Sequence, residues 1–125
     1  METEFSVKLP NRPGELARLT EALQKDGVNI RTVSTEPREG VVRLVTDHPE
    51  KSREALRRES LEFSERNVLV AKLEDKPGEL ARITRALADE GINIDAAYML
   101  GREGKHVQVA LAVSDEEKAK NILKL

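Results

Sequence analysis

Cysteine and tryptophan are absent from this 125-residue chain, and its aromatics amount to Phe5, Phe63 and Tyr98. Lack of cysteine excludes disulfides, thiolate nucleophiles and cysteine-based zinc sites together. Three scattered aromatic rings exclude a base-stacking platform. Charge of one sign is missing as well. There are 21 Lys and Arg against 23 Asp and Glu, for a formal net of −2, so no basic footprint exists for a phosphate backbone. No apolar run approaches the roughly 18 residues that a membrane helix needs. The acidic start Met1-Glu2-Thr3-Glu4 has no apolar stretch after it and does not read as a signal peptide. What is present is 38% hydrophobic and 35% charged residues with the signs mixed, the composition of a small, soluble, cytoplasmic globular protein. Neither nucleic acid nor membrane is expected as a partner.

The residues of catalysis are equally sparse. His48 precedes a proline and His106 lies far from it in sequence, so both read as surface histidines and not as a shared metal or acid–base site. No nucleophile elbow, P-loop or G-x-G-x-x-G occurs. Carboxylates are plentiful, but Glu21 with Lys25, Glu54 with Arg58 and Glu116 with Lys120 have the i,i+4 spacing of ordinary solvated helix pairs. The expectation is a chain with no catalytic residue, no metal and no cofactor.

A duplication sets the organisation. Pro13–Ile30 (PGELARLTEALQKDGVNI) and Pro77–Ile94 (PGELARITRALADEGINI) match at an offset of 64, with 12 of 18 positions identical. Arg38-Glu39-Gly40 falls on Arg102-Glu103-Gly104 at the same offset. Farther on the offset grows to 67, placing Asp47, Lys51 and Leu56 on Ser114, Lys118 and Leu123, so the second copy has the longer hairpin.

Each copy can be read from its periodicity. Phe5, Val7 and Leu9 alternate along a half-buried strand. Pro13-Gly14-Glu15 opens a helix with the proline in its first turn and the glycine second. Leu16, Leu19 and Leu23 supply its apolar stripe, and Gly27 ends it at the left-handed position. Val28–Glu36 and Val41–Thr46 form a hairpin, and a helix runs from about Pro49 to Glu59. Leu61 and Phe63 begin a fourth strand. The order β-α-β-β-α-β is the ferredoxin-like arrangement. In the second copy Leu69, Ala71 and Leu73 mark the first strand, Leu80, Ile83 and Leu87 the helix stripe, Ile92–Leu100 and His106–Val113 the hairpin, and Asp115–Lys124 the last helix. The predicted fold is therefore α+β, with two ferredoxin-like units at 1–66 and 67–125, the second lacking its final strand. That absence leaves Val68–Leu73 as an apolar edge open to another chain, which predicts a homodimer. Alternatively, Leu61–Leu73 is one long strand serving both units.

Chemistry repeats at one place, the strand-to-helix turn: Asn11-Arg12-Pro13-Gly14-Glu15-Leu16 and Asp75-Lys76-Pro77-Gly78-Glu79-Leu80. A helix start presents free N–H groups suited to a carboxylate. Asn11 or Asp75 stands beside it, and Asp75 could hold an ammonium group, so a small zwitterion such as an amino acid fits. Asn29 and Asn93, opening the second strand, offer a donor and an acceptor. A purely structural role is the competing reading, because Asn or Asp before X-Pro-Gly commonly caps a helix and Asn after Gly is common turn chemistry. The two roles are compatible.

These turns, with Gly27-Val28-Asn29-Ile30 and Gly91-Ile92-Asn93-Ile94 after them, resemble ACT domains, in two tandem copies covering nearly the whole chain. Asp47-His48-Pro49-Glu50-Lys51 resembles the family's approach to its second helix. The resemblance implies a small-molecule sensing module of amino-acid metabolism, pairing through sheet edges or helices and binding an amino acid between paired domains. By position, Asn11 and Asn29 match polar contacts of the serine-sensing domain of phosphoglycerate dehydrogenases, and Asp75 and Asn93 those of aspartokinase-like domains. The implied ligand-binding residues are Asn11, Arg12, Pro13, Gly14, Glu15, Leu16, Asn29 and Ile30, with Asp75, Lys76, Pro77, Gly78, Glu79, Leu80, Asn93 and Ile94. The implied partners are an amino-acid ligand, a second copy of the chain, and a metabolic enzyme or regulator. Rival readings are a ligand-free assembly module of the same fold and a nucleic-acid binder; the second is opposed by the missing aromatics and acidic balance.

Overall fold

The computed structural model describes Met1–Leu125. Its elements are β1 (Glu2–Lys8), α1 (Glu15–Lys25), β2 (Ile30–Glu36), β3 (Val41–Thr46), α2 (Pro49–Arg58), β4 (Phe63–Glu74), α3 (Glu79–Asp89), β5 (Ile94–Glu103), β6 (His106–Val113) and α4 (Glu116–Leu123). Two compact units result: an N-terminal unit, Thr3–Arg66, and a C-terminal unit, Asn67–Leu125 with Met1–Glu2. The architecture is α+β, and both units are ferredoxin-like.

In the N-terminal unit the strands follow the order β2-β3-β1-β4. β1 and β3 run antiparallel with Phe5 opposite Leu44 and Val7 opposite Val42. Period-two alternation turns these four side chains to one face, where they meet Leu19 and Leu23 of α1 and Ala55 and Leu56 of α2. Each such side chain taken out of water contributes about 1.5–3 kcal/mol for the larger apolar types. Phe63 packs edge-on against Phe5 with ring centroids 5.9 Å apart. Arg53 lies over the Phe5 ring and grips Glu65 with both Nε and Nη2. Glu4, only 1% exposed, accepts a 2.7 Å hydrogen bond from Arg66 Nε, so its buried charge is paired.

The C-terminal unit repeats the pattern with the order β4-β6-β5. Leu69 faces Leu111, Ala71 faces Val109 and Leu73 faces Val107 across the β4–β6 ladder. Ile83 and Leu87 of α3 and Ala119 of α4 close over them.

Three sequence expectations need correction. Leu61/Phe63 and Val68–Leu73 do not begin separate strands, because β4 is a single strand of 12 residues; the long-strand alternative holds. Leu16 and Leu80 are not core, being 39% and 49% exposed while Leu19, Leu23, Ile83 and Leu87 are buried. Of the expected i,i+4 pairs none forms: Arg58 pairs with Asp26 and Lys120 with Glu117, leaving Glu21 and Lys25 apart. The tertiary ion pair to Asp26 captures Arg58 because α1 and α2 lie side by side.

Candidate functional site

The repeated turns differ from the sequence reading at their helix starts. α1 begins at Glu15 and α3 at Glu79, so Pro13 and Pro77 lie in the turn ahead of the helix. Gly14 and Gly78 are the N-cap residues, not the second helical positions, and take φ of 89° and 91°. A side chain rarely adopts that left-handed conformation, which is the reason for glycine here. Neither Asn11 nor Asp75 caps its helix: both starts lack a side-chain cap. By contrast, His48 Nδ1 accepts from Lys51 N–H at α2, and Asp115 accepts from Lys118 N–H at α4.

In the N-terminal unit, Glu15 N–H reaches Arg12 O at 3.3 Å and Arg18 N–H reaches Gly14 O at 2.9 Å. Between them the N–H groups of Leu16 and Ala17 have no protein partner. The Asn11 side chain is exposed and makes no hydrogen bond. Glu15 is clamped on one side, with Arg12 Nη2 3.0 Å from Oε1. Its Oε2 is buried without a hydrogen bond, although the Arg18 guanidinium stands 3.6 Å away. Asn11, Arg12, Glu15 and Leu16 line a groove of about 270 Å³ whose far wall is Thr35, Glu36 and Pro37 at the β2–β3 hairpin.

The C-terminal unit builds the same turn, with the N–H groups of Leu80 and Ala81 equally without a protein partner and the side chains of Asp75 and Glu79 engaged. Asp75 accepts from the Arg102 guanidinium. Arg82 Nε donates to Glu79 Oε2 at 3.0 Å and its Nη2 reaches Oε1 at 3.5 Å. The Arg82 hydrogen bond holds the Glu79 carboxyl below the usual carboxylate range, and Lys76 is pushed up by its hydrogen bond to Glu74. The adjoining groove, about 260 Å³, is more apolar, with Leu80, Ala97, Tyr98 and Met99 in its walls.

Asn29 and Asn93 sit at the other end of their helices. After Gly27, whose φ of 71° completes a Schellman close with Val28 N–H on Leu23 O, Asn29 N–H donates to Asp47 Oδ1 at 2.9 Å and Asp47 N–H returns to Asn29 O. Asn93 N–H donates to Ser114 Oγ, and its side chain is spent on Asp95 Oδ1 at 2.7 Å. The Asn29 side chain is exposed, in a shallow depression with Thr20, Gln24 and Ile30. Ile30 and Ile94 also lean on their cores. Asn11 and Asn29 therefore flank α1, an 11-residue helix about 16 Å long, and a unit does not bring its own pair together. Sequence reasoning missed Arg102, Arg82 and the orphaned Glu15 oxygen. The shared Arg38/Arg102 match is the one signal that pointed toward the first of these.

Comparison with known proteins places these observations. The model of the ACT domain matches residues 3–62 and again 67–125. A crystal structure of a Bacteroides thetaiotaomicron protein superposes with a TM-score of 0.90 at 26% identity, covering 98% of this chain and 86% of that one. The regulatory subunits of aspartate kinase from Thermus flavus and Thermus thermophilus share the fold. Their TM-scores are 0.69 and 0.70, each at 18% identity, over 98% of this chain and 88% and 89% of theirs. Comparison with curated proteins gives no match.

Proposed function

Because the chain belongs to the ACT domain family, we propose that it is a non-catalytic cytoplasmic sensor that binds an amino acid and passes the bound state to an enzyme or regulator of amino-acid metabolism. The observation that carries this reading is the uncapped helix start. Two free N–H groups at Leu16 and Ala17 suit a carboxylate, and the exposed Asn11 side-chain carbonyl beside them suits an ammonium group. Regulatory subunits of aspartate kinase with the same fold support the choice of pathway class. Since Asn11 and Asn29 stand a helix length apart, a ligand that touches both types of position must bridge two units, as a homodimer allows. Output requires that the ligand favour one packing of those units over another.

The test is thermal unfolding of the protein against each of the twenty amino acids at millimolar concentration. A ligand at 100 times its Kd adds about 2.7 kcal/mol, a rise of several degrees for a protein of this size. Selective stabilisation by one or two amino acids supports the sensor. A flat response across all twenty removes it and favours a ligand-free assembly module, the reading for which exposed Val33 on β2 and Met99 on β5, at 44% and 57%, already speak.

A further inference from the structure

Asp47-His48-Pro49-Glu50-Lys51, at the corner between β3 and α2, places one of the chain's two histidines at a helix start. The His48 backbone is locked from beneath. Its N–H donates to Thr46 Oγ1 at 3.3 Å, and its carbonyl accepts from Ser52 N–H at 3.0 Å and from Ser52 Oγ at 2.8 Å. The two hydroxyls are 2.7 Å apart. Since Ser52 Oγ gives its proton to the His48 carbonyl, the proton between the hydroxyls comes from Thr46, and the ring of bonds closes. Thr46 and Ser52 are buried, so water does not compete for them. Held this way, the exposed His48 imidazole sets Nδ1 3.2 Å from Lys51 N–H and caps α2. At the repeat offset of 67 the C-terminal unit has Val113 and Ala119 in place of the two hydroxyl residues and Asp115 in place of the histidine. Asp115 caps α4 by the same bond, from Lys118 N–H at 3.1 Å.

We propose that His48 is a proton-sensitive latch on α2: the helix start is capped while the imidazole is neutral and uncapped once it is protonated, and α4 stays capped throughout. An imidazole nitrogen accepts only when it carries no proton, so the cap requires the neutral ring with its hydrogen on Nε2. Protonation turns Nδ1 into a donor facing another donor, Lys51 N–H, and sets a positive charge at the positive end of a helix. Both effects expel the ring. Histidine ordinarily titrates near pH 6.5 and a carboxylate near 4, so between about pH 5 and 8 the cap of the N-terminal unit responds and that of the C-terminal unit does not. Asp47 and Glu50 flank His48 on its own segment and offer the expelled imidazolium a partner, although Asp47 Oδ1 already accepts from Asn29 N–H ahead of β2. On the neighbouring elements, Asp26 after α1 pairs with Arg58, Arg43 of β3 with Glu39, and Glu65 of β4 with Arg53, while Glu21 and Lys25 of α1 are exposed. None of these groups pairs with His48. The release is local, because the bonds beneath the His48 backbone contain no titrating member: α2 keeps its place and loses one bond in its first turn. The latch works whether or not the chain binds an amino acid.

The test is two-dimensional 1H–15N NMR of the full chain from about pH 5 to 8, with amide hydrogen exchange corrected for its intrinsic pH dependence. At the upper end the His48 ring nitrogens should report the Nε2–H tautomer. Exchange at the Lys51 amide should speed about fivefold as the ring gains its proton, with the midpoint of the His48 ring signals. Ser52 and Lys118 should hold their protection across the range. His48→Asp should keep Lys51 protected at every pH, and His48→Ala should leave it unprotected at every pH, so both remove the transition. His106→Gln should leave the transition in place, since that histidine lies on β6. The Nδ1–H tautomer in the neutral ring, a Lys51 amide indifferent to titration of His48, or a transition that persists in His48→Asp overturns the proposal. Loss of protection at Ser52 together with Lys51 overturns the local release, and an equal response at Lys118 overturns the difference between the two caps.

Discussion

Gly14 and Gly78 open their helices at φ near 90°, and a Cβ built on either would touch nothing within 4 Å. Space is therefore not what demands glycine; backbone conformation is. Gly14→Ala should destabilise by about 1–2 kcal/mol from the left-handed penalty alone, visible as a lower urea midpoint with an unchanged slope. Gly14→Asn should lose less, since Asn tolerates that region. The leucines of these turns make a second residue-scale contrast. Leu80 and Leu87 belong to one apolar stripe in the sequence, but Leu80 is 49% exposed and Leu87 fully buried. Leu87→Ala should cost about 2–5 kcal/mol through lost burial and the cavity left behind, and Leu80→Ala within about 0.5 kcal/mol. Equal losses in chemical denaturation would mean that Leu80 is covered in solution.

At the scale of elements, α2 is tied to β4 by Arg53 and Glu65, whose bidentate contact spans 2.7–3.0 Å. The Arg53 hydrogen bond holds the Glu65 carboxyl below its ordinary value of 4.5. A depressed carboxylate favours the folded state at pH above the unfolded value, and that contribution disappears as pH falls through the lower folded value. Glu65→Gln should therefore flatten the acid limb of stability below about pH 4.5 and leave the shape of the neutral region alone, as Tm across pH 2–7 would record. The elements themselves were mostly legible beforehand. Alternation in Phe5-Ser6-Val7-Lys8-Leu9, the 3.6-residue spacing of Leu19 and Leu23, and glycines at both helix exits act locally, and local signals are what a sequence displays. β4 was harder, because Ser64-Glu65-Arg66-Asn67 reads as a polar linker. As a strand those residues are exposed, with Arg66 reaching across to Glu4. The engagement of Asp75 by Arg102, 27 positions away, was beyond reach for another reason. It depends on how far a hairpin extends, and a repeat offset reports that length without saying which side chain it delivers.

For the molecule as a whole, the question is how copies meet. Each unit has its own outer strand, β2 in the order β2-β3-β1-β4 and β5 in the order β4-β6-β5. Outer strands are templates for pairing unless bulges or charges spoil them. β5 is irregular at two places, between Ile94 and Ala96 and between Met99 and Gly101, and ends in Arg102 and Glu103. β2 has one irregularity, between Ile30 and Thr32, after which Thr32-Val33-Ser34-Thr35 runs uncharged and in regular register against β3. β2 is thus the less guarded edge, and a twofold dimer should form there by antiparallel pairing of one copy's β2 with the other's. Val33 is 44% exposed, so a lysine in its place leaves the monomer's core untouched while setting two like charges close together across the dimer axis. Val33→Lys should shift sedimentation equilibrium from dimer toward monomer with a monomer stability within about 0.5 kcal/mol of the parent. Met99→Lys on β5 should leave the dimer as it was; dissociation by Met99→Lys and none by Val33→Lys would move the interface to the other outer strand.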